Sequence, residues 1–203
     1  MKKILKFAFL CVLLAALFWT GSVLADRKSL DEDLIRFHVV ANSDSQEDQR
    51  IKLQLRDVLT KALQRPMSQC RDAQAAEYYL QENLKAIETL ANSALAQMGC
   101  SDSATVTLRD EAFDTRVYDT FSLPAGVYRS LRITIGEGKG ENWWCVVFPS
   151  LCLPATSEDF DAVAADSGFQ KSLAGALDHQ QGYEVRFFLL DCLGRLRNFF
   201  YGG

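Results

Sequence analysis

The chain has 203 residues, 48% of them hydrophobic and 24% charged, with a formal net charge of −4. That length suits one domain with a short appendage, and apolar content near half excludes an intrinsically disordered chain. The acidic balance argues against nucleic acid as a partner.

MKKILKFAFLCVLLAALFWTGSVLA opens with Lys2, Lys3 and Lys6, runs apolar from Phe7 to Trp19, then meets Thr20 and Gly21 as breakers. With Val23 and Ala25 at the −3 and −1 positions of a cleavage site, residues 1–25 read as a secretory signal peptide. The same stretch is almost long enough to act as an uncleaved anchor if Lys6 snorkels. Cleavage after Ala25 removes three lysines and no acids, so residues 26–203 carry −7 in place of −4. It also removes Cys11 and leaves Cys70, Cys100, Cys145, Cys152 and Cys192, an odd set for an oxidising compartment. At least one thiol is then free or paired between chains.

LIRFHVVAN (34–42) is apolar and β-branched, and reads as a strand with Ile35, Phe37 and Val39 on one face. NSDSQEDQ follows as a helix start, with Ser43 and Ser45 each offering an N-cap and Asp44, Glu47 and Asp48 placed for the helix dipole. Ile51, Leu55, Val58, Leu59 and Ala62 keep helical spacing until Pro66 ends the run. A second helix is expected from about Asp72 to Met98, closed by Gly99. Beyond Gly99 the period becomes two: ATVTLRD, TRVYDTF, VYRSLRITIG and WWCVVF read as short strands separated by Asp, Gly and Pro. Gly136–Gly140 reads as a long hairpin loop between the last two. SEDFDAVAADSG, SLAGALDH and a final YEVRFFLLDCLGRL run complete the chain. The fold class is α+β: one strand and a helical pair, then a mostly antiparallel sheet with a C-terminal element. Residues 26–203 form a single domain, with 156–203 open as an appendage.

GEGKGENWWCVVFPSLC (136–152) concentrates the candidate chemistry. Its glycines lack the Lys-Ser/Thr ending of a phosphate loop and lead into a strand, not a helix N-terminus. Cys145 and Cys152 stand too far apart for a zinc knuckle, have no second pair, and are joined only by His38 and His179, so no metal or cofactor is expected. A nucleophilic Cys145 with His38 or His179 rests on residue identity alone. His38, between Phe37 and Val39, reads as a half-buried strand histidine, and His179 as loop surface. The reading left for the cysteines is a Cys145–Cys152 disulfide, whose loop of about eight residues contributes roughly 2.5 kcal/mol in the chain-entropy picture. It would hold an aromatic tip of Trp143, Trp144 and Phe148. The pair reads either as core packing or, because adjacent strand residues face opposite sides, as one inward tryptophan and one outward that can anchor a partner.

Two blocks, LIRFHVVANSDSQEDQRIKLQLRD and LPAGVYRSLRITIGEGKGENWWCVVFPSLC, resemble the stage II sporulation protein R family of endospore-forming bacteria. Asn42, Asp44, Asp48 and Gln49 in the first block, and Asn142, Trp143, Trp144, Cys145, Pro149 and Cys152 in the second, carry the resemblance. It implies a protein secreted from the forespore into the space between the forespore and mother-cell membranes. There it would trigger a membrane-embedded aspartic protease that removes the propeptide of pro-sigma-E. The chain would then be a signal and no enzyme, membrane-proximal but soluble once cleaved. Trp143, Trp144 and Phe148, with Asn42 and Asp44 as a second surface, are the candidate docking residues. The alternatives are an exported hydrolase, of cysteine or cell-wall type, and a structural module of the engulfment apparatus.

Overall fold

A computed structural model of the chain describes residues 2–117, 122–149 and 185–201. Strand β1 (Ile35–Val40) is buried along its whole length, because it lies inside the sheet with both faces covered. The sheet has the order β2-β5-β1-β6, with β2 at Ala104–Phe113, β5 at Gly126–Ile135 and β6 at Asn142–Phe148. β1 is parallel to β5 and antiparallel to β6, and β2 is antiparallel to β5. Two short strands, β3 (Arg116–Val117) and β4 (Ser122–Leu123), pair separately. The class is the expected α+β. Placing β1 between β5 and β6 corrects the hairpin reading: residues 136–141 cross the end of β1 instead of joining neighbours.

Helix α2 (Gln46–Ser68) begins at Ser45, whose hydroxyl accepts from the Asp48 amide at 3.1 Å. It passes through Pro66, contrary to the expected stop. Proline there forfeits only the bond to the carbonyl four residues back, and Met67, 1% exposed, holds the last turn on the core. Helix α3 (Ala73–Gln97) is capped by Asp72, which accepts from the Ala75 amide, and ends in a Schellman motif. In that motif the Cys100 amide donates to the Leu95 carbonyl and the Gly99 amide to Ala96. Both helices cover one face of the sheet through Leu55, Leu59, Leu80 and Leu95 against Phe37, Leu131 and Ile133. Asn92 also donates to and accepts from the Ala104 backbone, and Glu88 accepts from the Val106 amide. Part of the outer edge of β2 is thereby satisfied by helix side chains.

The other face meets helix α1 (Lys2–Asp33) and helix α4 (Val185–Tyr201). α1 runs through Gly21 and the expected cleavage position without a break. Its Val23 and Leu30 pack with Phe113, Tyr128, Val146 and Leu190, at a spacing that keeps one helical face on the core. Arg27 ties the layer together: it donates to the Ala125 carbonyl at 2.7 Å, pairs with Asp31 at 2.6 Å and lies 5.1 Å over the Tyr128 ring. Asp191 of α4 accepts from the Ala125 amide at 2.8 Å. Nearer the N-terminus α1 is exposed, and the window Phe9–Asp33 is long and apolar enough to cross a membrane.

Candidate functional site

The alternation along β1 decides which side chains can meet. Ile35, Phe37 and Val39 face α2 and α3, whereas Arg36 and His38 face the opposite side. There Arg36 lies 4.4 Å from the Phe113 ring centroid, beneath the layer formed by α1 and α4. Two residues further along β1 that cover ends, and a cleft of about 390 Å³ opens around His38, Glu111, Arg132, Asn142 and Trp144. Tyr201, the last described residue of α4, closes one wall through a bond from its hydroxyl to the Asp110 carbonyl at 2.9 Å.

His38 sits between Arg132 of β5 and Trp144 of β6 in the sheet register. Its ring stacks on the Trp144 indole, with centroids 4.6 Å apart and planes 7° from parallel. Phe113 meets the same indole edge-on, and the Arg116 guanidinium lies 4.6 Å over it. His38 Nε2 and Glu111 Oε2 are 2.7 Å apart, while Arg109 Nη2 and Arg132 Nη1 donate to Glu111 Oε1 at 2.8 and 3.1 Å. Burial alone raises the Glu111 carboxyl, but the bonds from His38, Arg109 and Arg132 outweigh it and hold the group at about 2, down from 4.5. Burial pushes the His38 imidazole below its ordinary 6.5, and Glu111 offsets only part of that. Near neutral pH the network therefore assigns a neutral imidazole donating from Nε2 to an ionised carboxylate. His38 Nδ1 is buried without a hydrogen-bond partner among the described residues.

The other sequence candidates separate. Trp144 faces the cleft. Trp143 faces the helical layer, edge-on to Phe37 at 5.9 Å and with the Arg56 guanidinium 5.1 Å from its centroid. Phe148 is 5% exposed within the core under α2 and α3, so it is not part of a surface tip. Cys145 joins the same core as a free thiol, and its expected partner Cys152 lies outside the described residues. Cys145 and His38 point to opposite faces of the sheet, which corrects the idea of a nucleophile–base pair between them. His179 lies outside the described residues.

Asn42 and Asp44 clamp the crossing loop. Asn42 Oδ1 accepts from the Glu137 amide at 2.9 Å, and Asp44 Oδ1 from the Glu141 amide at 2.7 Å. Lys52 of α2 donates to the Glu141 carbonyl at 2.9 Å, and backbone bonds join Lys139 to Asn42 and Gly140 to Ala41. The glycines serve this passage. Gly136 and Gly138 have φ of 55° and 62°, in the left-handed region, and a Cβ on Gly140 would lie 2.3 Å from the Ser43 carbonyl oxygen.

Sequence reasoning missed Glu111, Arg109 and Arg132. LRDEAF on an edge strand looks like solvated polar surface. Only the strand order, with β5 between β2 and β1, carries Glu111 to His38, 73 residues away in the chain. Among the described residues no group of three or more His, Cys, Asp and Glu is placed to hold a metal ion. The cleft combines a fixed carboxylate, guanidiniums bonded to it and an aromatic floor.

Comparison with known proteins bears on the whole arrangement. The family model "Stage II sporulation protein R" matches residues 31–158, from the end of α1 past β6. The protein of that name from Bacillus subtilis (strain 168) is 29% identical over 185 residues, covering 82% of this chain and 83% of its own length. No solved structure matches the chain. The match spans β1, the helical pair, the crossing loop and every strand that builds the cleft, and the chain belongs to the stage II sporulation protein R family.

Proposed function

We propose that the chain is an exported signal of sporulation, released from the forespore, which activates a membrane-embedded aspartic protease to process pro-sigma-E in the mother cell. The observation that carries this reading is family membership over residues 31–158, behind an apolar N-terminal helix of the kind that directs export. Cleavage after Ala25 would leave Arg27 and Leu30, two buried parts of α1, with the domain.

A signal rather than an enzyme is supported by the chemistry of the cleft. Among the described residues its lining offers no Ser or Thr hydroxyl and no thiol to serve as a nucleophile. An activator of this kind works by binding the active state of its protease more tightly than the inactive one. Trp144 and the guanidiniums beside it are the surface best suited to that contact.

Co-expression of the chain, the protease and pro-sigma-E in a non-sporulating host tests the reading. Shortened sigma-E is expected only when all three are present. Equal processing without the chain, or none with it, would overturn activation and favour a structural module of engulfment.

A further inference from the structure

The cleft has more donors than its own carboxylate can use. Glu111 Oε1 accepts from Arg109 Nε and Nη2 and from Arg132 Nη1, and Glu111 Oε2 is taken by His38. A carboxylate has about four acceptor positions, so Glu111 is saturated. Arg132 also uses Nε on Thr134, which leaves Arg109 Nη1 and Arg132 Nη2 with no acceptor among the described residues. Arg109 is the accessible one, its side chain 58% exposed against 29% for Arg132. The remaining acid of the lining, Asp110, is paired with Arg129 at 3.3 Å. Two guanidiniums, those of Arg109 and Arg132, thus line the cleft against the single charge of Glu111. This is a local positive excess on a chain with net charge −4.

A second orphan belongs to a residue of the same lining. Asn142 Oδ1, on the lining, is buried without a hydrogen-bond partner among the described residues. Such an acceptor costs about 1–3 kcal/mol until a donor reaches it. Unused guanidinium N–H groups beside an unused buried acceptor match a carboxylate carried near an amide N–H. That pairing is what an Asp or Glu residue in an extended peptide presents. The cleft volume, about 390 Å³, suits a short peptide segment and not a folded domain. Inorganic phosphate is the weaker fit, since its second charge would press against the ionised Glu111 and it offers Asn142 no amide.

We propose that the Arg109–Arg132 cleft binds an acidic peptide segment of the partner, its side-chain carboxylate on the two guanidiniums and its backbone N–H on Asn142 Oδ1. This identifies the docking chemistry of the signalling function and rests on that reading.

The test uses the full chain with Trp19 and Trp143 replaced by Phe, so that Trp144 is the reporter. The probes are the blocked peptide acetyl-Ala-Val-Glu-Val-Ala-amide, its Gln counterpart, and inorganic phosphate. Trp144 emission should shift saturably with the Glu peptide at about millimolar concentration, and roughly tenfold more weakly with the Gln peptide. Arg109→Gln should give the same tenfold loss with only a small fall in melting temperature, since its bonds to Glu111 come from an exposed side chain, and Asn142→Asp should weaken the Glu peptide specifically. Equal titration by both peptides, no saturable shift, or tighter binding of phosphate would overturn the proposal. The two readings fail separately. Peptide binding without processing in the co-expression host removes the activation reading and keeps the cleft. Processing that persists in full when Arg109→Gln has lost its peptide removes the cleft's docking role and keeps activation.

Discussion

Glu111 is the residue on which the cleft turns. One carboxylate, 12% exposed, fixes an imidazole and two guanidiniums from three strands. Its carboxyl is held at about 2 against an ordinary 4.5, so the unfolded chain binds its proton first and the stabilisation is complete above pH 4.5 and lost toward pH 2. His38 works in the same direction higher up: its imidazole is depressed from 6.5 by burial, so its contribution is complete above that value and falls as pH drops below it. Glu111→Gln should cost about 2 kcal/mol at neutral pH, the worth of hydrogen bonds to a charged group. Urea unfolding of both proteins checks this. The gap between them should close as pH falls from 4.5 toward 2, and a gap that stays constant contradicts the assignment. None of this network was legible locally. His38 read as a half-buried strand histidine, which it is in its burial, but its partner lies 73 residues away on a strand that is not its neighbour.

At the scale of elements, the legible parts were those with local causes. Ser45, Asp72 and Gly99 announce the ends of α2 and α3 through capping chemistry, and they end there. Alternation in WWCVVF foretold that the tryptophans part to opposite faces. Strand order was hidden, because a hairpin and a crossing loop have the same glycines. The sign that separates them is the company of Asn42 and Asp44, whose carbonyl and carboxylate oxygens await the amides of Glu137 and Glu141. Their place in this clamp is structural and does not require that they touch a partner. Gly140→Ala tests the crossing: its Cβ would sit 2.3 Å from the Ser43 carbonyl, so the loop must shift at a cost of about 1–3 kcal/mol. A thermal melt unchanged from the parent would contradict the close passage.

At the scale of the molecule, the two faces of the sheet divide the work. One face is an aliphatic core under α2 and α3, and it takes up Cys145, Phe148 and the inner side of Trp143. The opposite face is half covered by α1 and α4 and half left as the cleft, in the segment that the family model spans. A signal that acts on a membrane protease through this face must present the cleft to it. Site-specific photocrosslinking in the co-expression host measures that directly. A photoreactive residue at position 109, on the cleft rim, should give a crosslink to the protease, whereas one at Lys61, exposed on α2, should give none. Crosslinking from position 61 with none from 109 would contradict the account.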